Sequence, residues 1–118
     1  MTVKQCYEAI IGANYEEVES RLRTEERIKK FLLKVLNDKS YDLLCTSIEQ
    51  NNMEEAFRAA HTLKGISQNL SLTILYQSAG NLSDILRESQ QYNEAAAELF
   101  EQVKKDYEKV TEAIKKLS

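Results

Sequence analysis

The chain has 118 residues, 42% of them hydrophobic, and a net charge of −3 from 16 basic and 19 acidic side chains. That length fits one domain with one core, and the acidic balance argues against a nucleic-acid binder, which needs a basic surface. Proline and tryptophan are absent and there are only three glycines, too little punctuation for an all-β fold, where a turn recurs about every 8–12 residues.

Leu, Ala, Glu, Lys and Gln dominate, and these are good helix formers, so an all-α domain is expected. Cys6 and Cys45 stand far apart and in no Cys-x-x-Cys or Cys/His cluster. Neither a metal site nor a redox motif is indicated, and a bridge between the two is disfavoured. No run approaches the ~18 apolar residues of a membrane span, and Met1 to Glu8 contain no apolar signal core. A cytoplasmic protein that makes no membrane contact is the expectation.

In chain order, Val3, Cys6, Tyr7, Ile10 and Ile11 give one helical face over about Val3 to Ile11. Gly12 stops it. Asn14 caps a second short helix to about Leu22, with Glu16 and Glu17 in its first turn. These opening helices, within residues 1–23, read as a lid or brace. Thr24 caps the next helix, where Ile28, Phe31, Leu32, Val35 and Leu36 recur at three- and four-residue steps. It should end near Asn37-Asp38. A further piece runs from about Ser40 to Gln50, with Tyr41, Leu43, Leu44 and Ile48 apolar. The intervening Asn37-Asp38-Lys39 is either a kink in one long helix or a break between two.

Asn51-Asn52 forms a turn, and a central helix starts near Met53 and runs to about Asn69. Its predicted buried stripe is Met53, Phe57, Ala60, Leu63, Ser67 and Leu70. Ser71 is read as the cap of the following helix, which turns Ile74, Leu75, Ser78, Ala79, Leu82, Ile85 and Leu86 inward. After a polar break at Ser89 to Asn93, the last helix runs to Leu117 with Leu99, Val103, Tyr107, Val110, Ile114 and Leu117 on one seam. The expected architecture is an antiparallel up-and-down four-helix bundle over residues 24–117, preceded by short extra N-terminal helices.

The chemistry points to the central helix, which carries His61, the only histidine. His61 falls one residue past the buried Ala60. Steps of three and four link it with Arg58, Lys64, Gly65 and Gln68 in a stripe beside the core face, reachable from water. A glycine inside a helix costs roughly 1 kcal/mol relative to alanine. Gly65 sits one turn after the histidine, so its missing side chain clears space for another molecule to approach the imidazole. Lys64 adds a mobile positive charge on the same patch. A neutral imidazole is a good nucleophile toward phosphorus, and a nearby ammonium stabilises the anionic phosphoryl group. The chain has no glycine-rich phosphate loop or Walker-type sequence, so it is not expected to use ATP itself.

Ala60-His61-Thr62-Leu63-Lys64-Gly65, preceded by Met53 to Ala59 and followed by Asn69-Leu70, resembles the signature of histidine phosphotransfer (HPt) domains. The likeness covers roughly Thr24 to Leu86. It implies a four-helix bundle that accepts a phosphoryl group on histidine from a receiver-domain aspartate and passes it to another receiver in two-component signalling. It further implies His61 as the phosphorylated residue, Lys64 as the charge-stabilising neighbour and Gly65 as the clearance residue. The partners implied are response-regulator receivers or a hybrid sensor kinase. The chain is then a phosphocarrier and not an enzyme; it acts as a monomer with no cofactor or metal of its own, and Mg is supplied on the receiver. Two positions depart from the family pattern. Its usual glycine ten residues after the histidine is Ser71 here, and its frequent Glu or Gln twenty-two residues after is the shorter Ser83. Gln68 is a candidate to orient the imidazole in place of that residue.

Plainer readings stand beside these. Arg58 pairs with Glu54 or Glu55 on the helix surface, Gln68 and Ser83 are solvated polar residues, and Gly65 serves close helix packing, which would point it inward. Tyr15, Tyr41, Tyr76, Tyr92 and Tyr107 pack at the core and its boundary. The alternative for the whole chain is a helical interaction module without chemistry, either a degenerate HPt docking domain or a dimerising bundle.

Overall fold

A computed structural model describes residues 1–89 and 91–117. Gln90, inside the predicted polar break, and Ser118 lie outside the described residues. Among those described, the helices are α1 (Val3–Ala9), α2 (Tyr15–Leu22), α3 (Glu25–Val35), α4 (Ser40–Glu49), α5 (Met53–Asn69), α6 (Thr73–Ser89) and α7 (Glu94–Lys115). Their starts follow from side-chain caps. Asn14, Thr24, Asn52 and Asn93 each accept a hydrogen bond from a backbone N–H three residues on, satisfying a donor that the helix itself leaves free. The stretch after Val35 resolves into a break between two helices, and Asp38 accepts from the Ser40 N–H at 2.8 Å where α4 begins.

Helices α4 to α7 form the bundle. Each packs on the next, and the short links between them make neighbours antiparallel. The first and last members meet where Tyr41 stacks on Tyr107, with ring centroids 4.0 Å apart and planes at 7°. Ala56, Ala59, Ala60 and Leu63 of α5, Leu75, Ala79, Leu82 and Leu86 of α6, and Val103, Val110 and Ile114 of α7 are buried. Each leucine-sized side chain so buried contributes about 1.5–3 kcal/mol. Several residues predicted inward sit at the edge of the core instead. Phe57, Ile74, Ile85, Leu99 and Tyr107 are half-buried. On α7 the buried seam begins at Ala96 and passes through Phe100, which takes the place predicted for Leu99.

The N-terminal helices brace the C-terminal end of α5. The last carbonyls of a helix lack intrahelical donors. Here the Tyr7 hydroxyl donates to the Leu70 carbonyl at 2.7 Å. The Arg21 guanidinium donates to the carbonyls of Gln68 at 3.1 Å and Asn69 at 2.6 Å, and a cation at this end also offsets the helix dipole. Burial pushes the Tyr7 phenol above the ordinary tyrosine range. An isolated antiparallel bridge joins Ala13 to Leu72. The turn that delivers Ala13 needs Gly12, whose φ is +81° and whose added Cβ would lie 2.5 Å from Ile74 Cγ1.

Ser71 is not the cap of α6. It is buried, has φ +55° and precedes a helix that begins at Thr73. The bridge at Leu72 turns the chain there, and the turn imposes a left-handed backbone on the residue before it. This is the position where the family pattern has glycine, and serine is held there by its side chain. The Ser71 hydroxyl donates to Glu17 Oε1 at 2.8 Å and accepts from Arg21 at 3.2 Å. That hydroxyl first, and Arg21 second, hold the Glu17 carboxyl below its usual range. Both cysteines are free, and among the described residues no helix is long and apolar enough to cross a membrane.

A left-handed non-glycine residue costs about 1–2 kcal/mol, and each net hydrogen bond contributes roughly 1 kcal/mol. Ser71→Ala keeps the strain and loses the bonds, whereas Ser71→Gly loses the bonds and relieves the strain. In urea titrations the glycine variant is expected to be the more stable of the two by about 1 kcal/mol. Equal midpoints would show that the turn is not strained.

Candidate functional site

The rotation of α5 about its axis decides what faces water. Ala59, Ala60, Leu63 and Ser67 are sealed in the bundle. Successive residues turn by about 100°, so His61 lands on the far side of the helix, where it is exposed. Its ring touches Phe57 one turn back, with centroids 5.9 Å apart and planes at 31°. Among the described residues no hydrogen bond or ion pair engages the imidazole.

Gly65 lies one turn further on the same wall and is exposed. A Cβ built on it meets no atom within 4 Å, so close helix packing is not its role and the space above it is open. Gln68 continues the stripe, exposed, about 10 Å along the axis from His61. No hydrogen bond joins Gln68 to the ring, and its carbonyl is held by Arg21. Arg58 is exposed and forms ion pairs with Glu54 and Glu55, both at 2.8 Å. It follows the plain reading of a surface pair, the kind that contributes little.

Lys64 departs from the expectation of a mobile charge beside the histidine. It is half-buried, and its stem lies across α6. The Lys64 Cδ and Cε atoms are each 3.4 Å from the point where a Gly80 Cβ would stand. Its ammonium is 5.8 Å from the centre of the Tyr76 ring. Tyr76 is one turn before Gly80 on a helix antiparallel to α5. The ammonium is therefore turned toward the C-terminal end of α5, away from His61. Sequence reading missed both Gly80 and Tyr76 as neighbours of the site. The available signal was a second glycine inside a helix, sixteen residues after Lys64; the register between two helices decides what that glycine faces.

The same register brings Ser83 level with His61, three residues on along α6 as His61 is three back along α5. Ser83 is 2% exposed, which corrects its reading as a solvated residue. It faces the bundle, and no hydrogen bond joins it to the imidazole. Among the described residues no group of three or more His, Cys, Asp or Glu side chains is arranged to hold a metal ion.

An antiparallel helical bundle that presents one unengaged imidazole from the middle of a helix, beside an open wall, defines a class of histidine-bearing module. A family model described as "Hpt domain" matches residues 23–113, which takes in α3 to α6, the His61–Gly65 motif and most of α7. The chain belongs to the Hpt domain family and is a phosphotransfer module of two-component signalling. No curated protein and no solved structure matches the chain.

Because the space over Gly65 is empty, Gly65→Ala gains helix propensity without a clash. Stability is expected to rise by up to about 1 kcal/mol, or about 4 °C in melting temperature for a chain of this size. A fall in melting temperature would show that the wall is closed at this point.

Proposed function

We propose that His61 carries the phosphoryl group, taking it from the aspartate of one receiver domain and handing it to the aspartate of another. The reading is supported above all by the imidazole itself, exposed and unengaged on the face of α5 opposite the core, with an open wall at Gly65. In the forward step a lone pair of the neutral imidazole attacks phosphorus and an N–P bond forms. The P–O bond to the receiver's aspartate breaks, and that carboxylate leaves with the electron pair. The reverse step reloads a second receiver. The receiver contributes Mg and the acidic residues; this chain contributes the nucleophile, clearance at Gly65 and the cation of Lys64. No kinase chemistry is assigned to it, and its place is the cytoplasm.

Docking needs an apolar centre. Phe31, Val35, Ile66 and Leu70 line a groove of about 200 Å³ between α3 and α5. Arg27, Lys30 and Lys34 run along its α3 side at steps of three and four and are exposed. This groove begins about 7 Å along the α5 axis from His61, well inside the footprint of an interface of about 800 Å² per partner.

Incubation with a receiver domain charged by acetyl phosphate tests the assignment. Wild-type protein is expected to acquire acid-labile, alkali-stable phosphate. His61→Gln should abolish labelling and leave the far-ultraviolet circular dichroism unchanged. Labelling that survives the substitution places the acceptor elsewhere, and binding without transfer by the wild type indicates a docking module. Gly65→Gln is expected to slow transfer at least tenfold, the scale set by misplacing reacting groups, with no loss of melting temperature.

A further inference from the structure

The position of Lys64 carries a consequence for the loaded and unloaded states. Its stem lies across α6 over Gly80, with Cγ, Cδ and Cε at 3.7, 3.4 and 3.4 Å from the point where a Cβ would stand. Its ammonium sits 5.8 Å from the Tyr76 ring centre, within the range of a cation–π attraction. Among the described residues Lys64 forms no ion pair. The partner that holds its charge is thus an aromatic face on the neighbouring helix. That face lies one turn of α6 beyond Gly80, on the side away from His61.

We infer that Tyr76 is a positioning residue that competes with a phosphoryl group on His61 for the Lys64 ammonium. The inference rests on His61 being the phosphoryl acceptor. With the imidazole bare, the ammonium rests on the Tyr76 ring and leaves the approach to the histidine free of fixed positive charge. Once an N–P bond has formed, the anionic oxygens on His61 offer a stronger electrostatic partner than the ring quadrupole. Lys64, three residues along the same helix wall, then swings back over its own preceding turn, the direction helical side chains favour. Leaving the ring opposes loading, so the resting contact lowers the equilibrium occupancy of phosphohistidine. An exposed or half-exposed cation–π contact corresponds to a factor of about two to five in an equilibrium constant.

A Cβ at position 80 would rest on the lysine stem at ordinary contact distance, 3.4 Å from Cδ and Cε, so Gly80 does not by itself decide where the stem lies. Tyr76 is the better probe. It is half-buried at the start of α6, and Tyr76→Phe keeps the aromatic face while Tyr76→Leu removes it.

The phosphoryl distribution between His61 and the aspartate of a receiver charged with acetyl phosphate is measured at equilibrium for wild type, Tyr76→Leu and Tyr76→Phe. The series is then repeated with Lys64→Ala. Tyr76→Leu is expected to raise the phosphohistidine share about two- to fivefold, Tyr76→Phe to match wild type, and Tyr76→Leu to have no effect once Lys64 is alanine. In the unphosphorylated protein the Lys64 ε-methylene protons should resonate upfield from ring current, and labelling with phosphoramidate should remove that shift. An unchanged distribution in Tyr76→Leu, a change that persists without Lys64, or an ε-methylene shift that ignores phosphorylation overturns the inference while leaving His61 as acceptor. Absence of any label on wild-type His61 overturns both readings together.

Discussion

The burial of Ala56, Ala59, Ala60 and Leu63 against the neighbouring helices fixes the rotation of α5, and the site follows from that rotation. Three of the four residues are alanine, so α5 lies close to its neighbours and has little freedom to roll. A roll of one residue, about 100°, would bring His61 to the edge of the core and carry Ala60 outward. Close packing of small side chains thus does for the imidazole what a hydrogen-bonded partner does in many catalytic histidines: it sets a direction. The direction is that of the helix wall, and the ring is left without an engaged nitrogen.

Two helical glycines border that wall. Gly65 is open because nothing stands above it. Gly80 is covered by the stem of Lys64, which lies at ordinary contact distance from where a Cβ would stand. One glycine faces open space and the other lies under a side chain of the protein itself. The cation that the motif places three residues after the histidine is therefore not simply beside it. Its resting place is decided by the adjacent helix, which carries none of the motif.

Much of this was readable in the sequence, for local reasons. The caps at Asn14 and Thr24 and the span of α5 from Met53 to Asn69 are set by neighbours within a few residues, and the structure has them where the sequence puts them. The outward phase of His61 followed from helical periodicity alone. What escaped reading depends on contacts between distant segments. Ser71 looked like a cap because serine before a helix usually is one; its left-handed backbone comes from pairing of Leu72 with Ala13, some sixty residues earlier. Ser83 looked solvated because nothing nearby in sequence says that it faces a partner helix. Lys64 looked free because its resting place is on α6, and the angle and register at which two helices meet are not written in either one.

The brace at the end of α5 bears on where this family unit stops. The matched segment begins at residue 23, yet the donors that close the α5 terminus belong to Tyr7 and Arg21. A chain trimmed to the matched segment would keep every residue of the phosphotransfer motif. It would leave the carbonyls of Gln68, Asn69 and Leu70 to solvent and uncover the apolar surface beneath α1 and α2. The histidine helix would then fray from its far end toward Gly65. Recognition of the family and the physical integrity of its central helix thus have different boundaries in this protein, and the first twenty-two residues belong to the second.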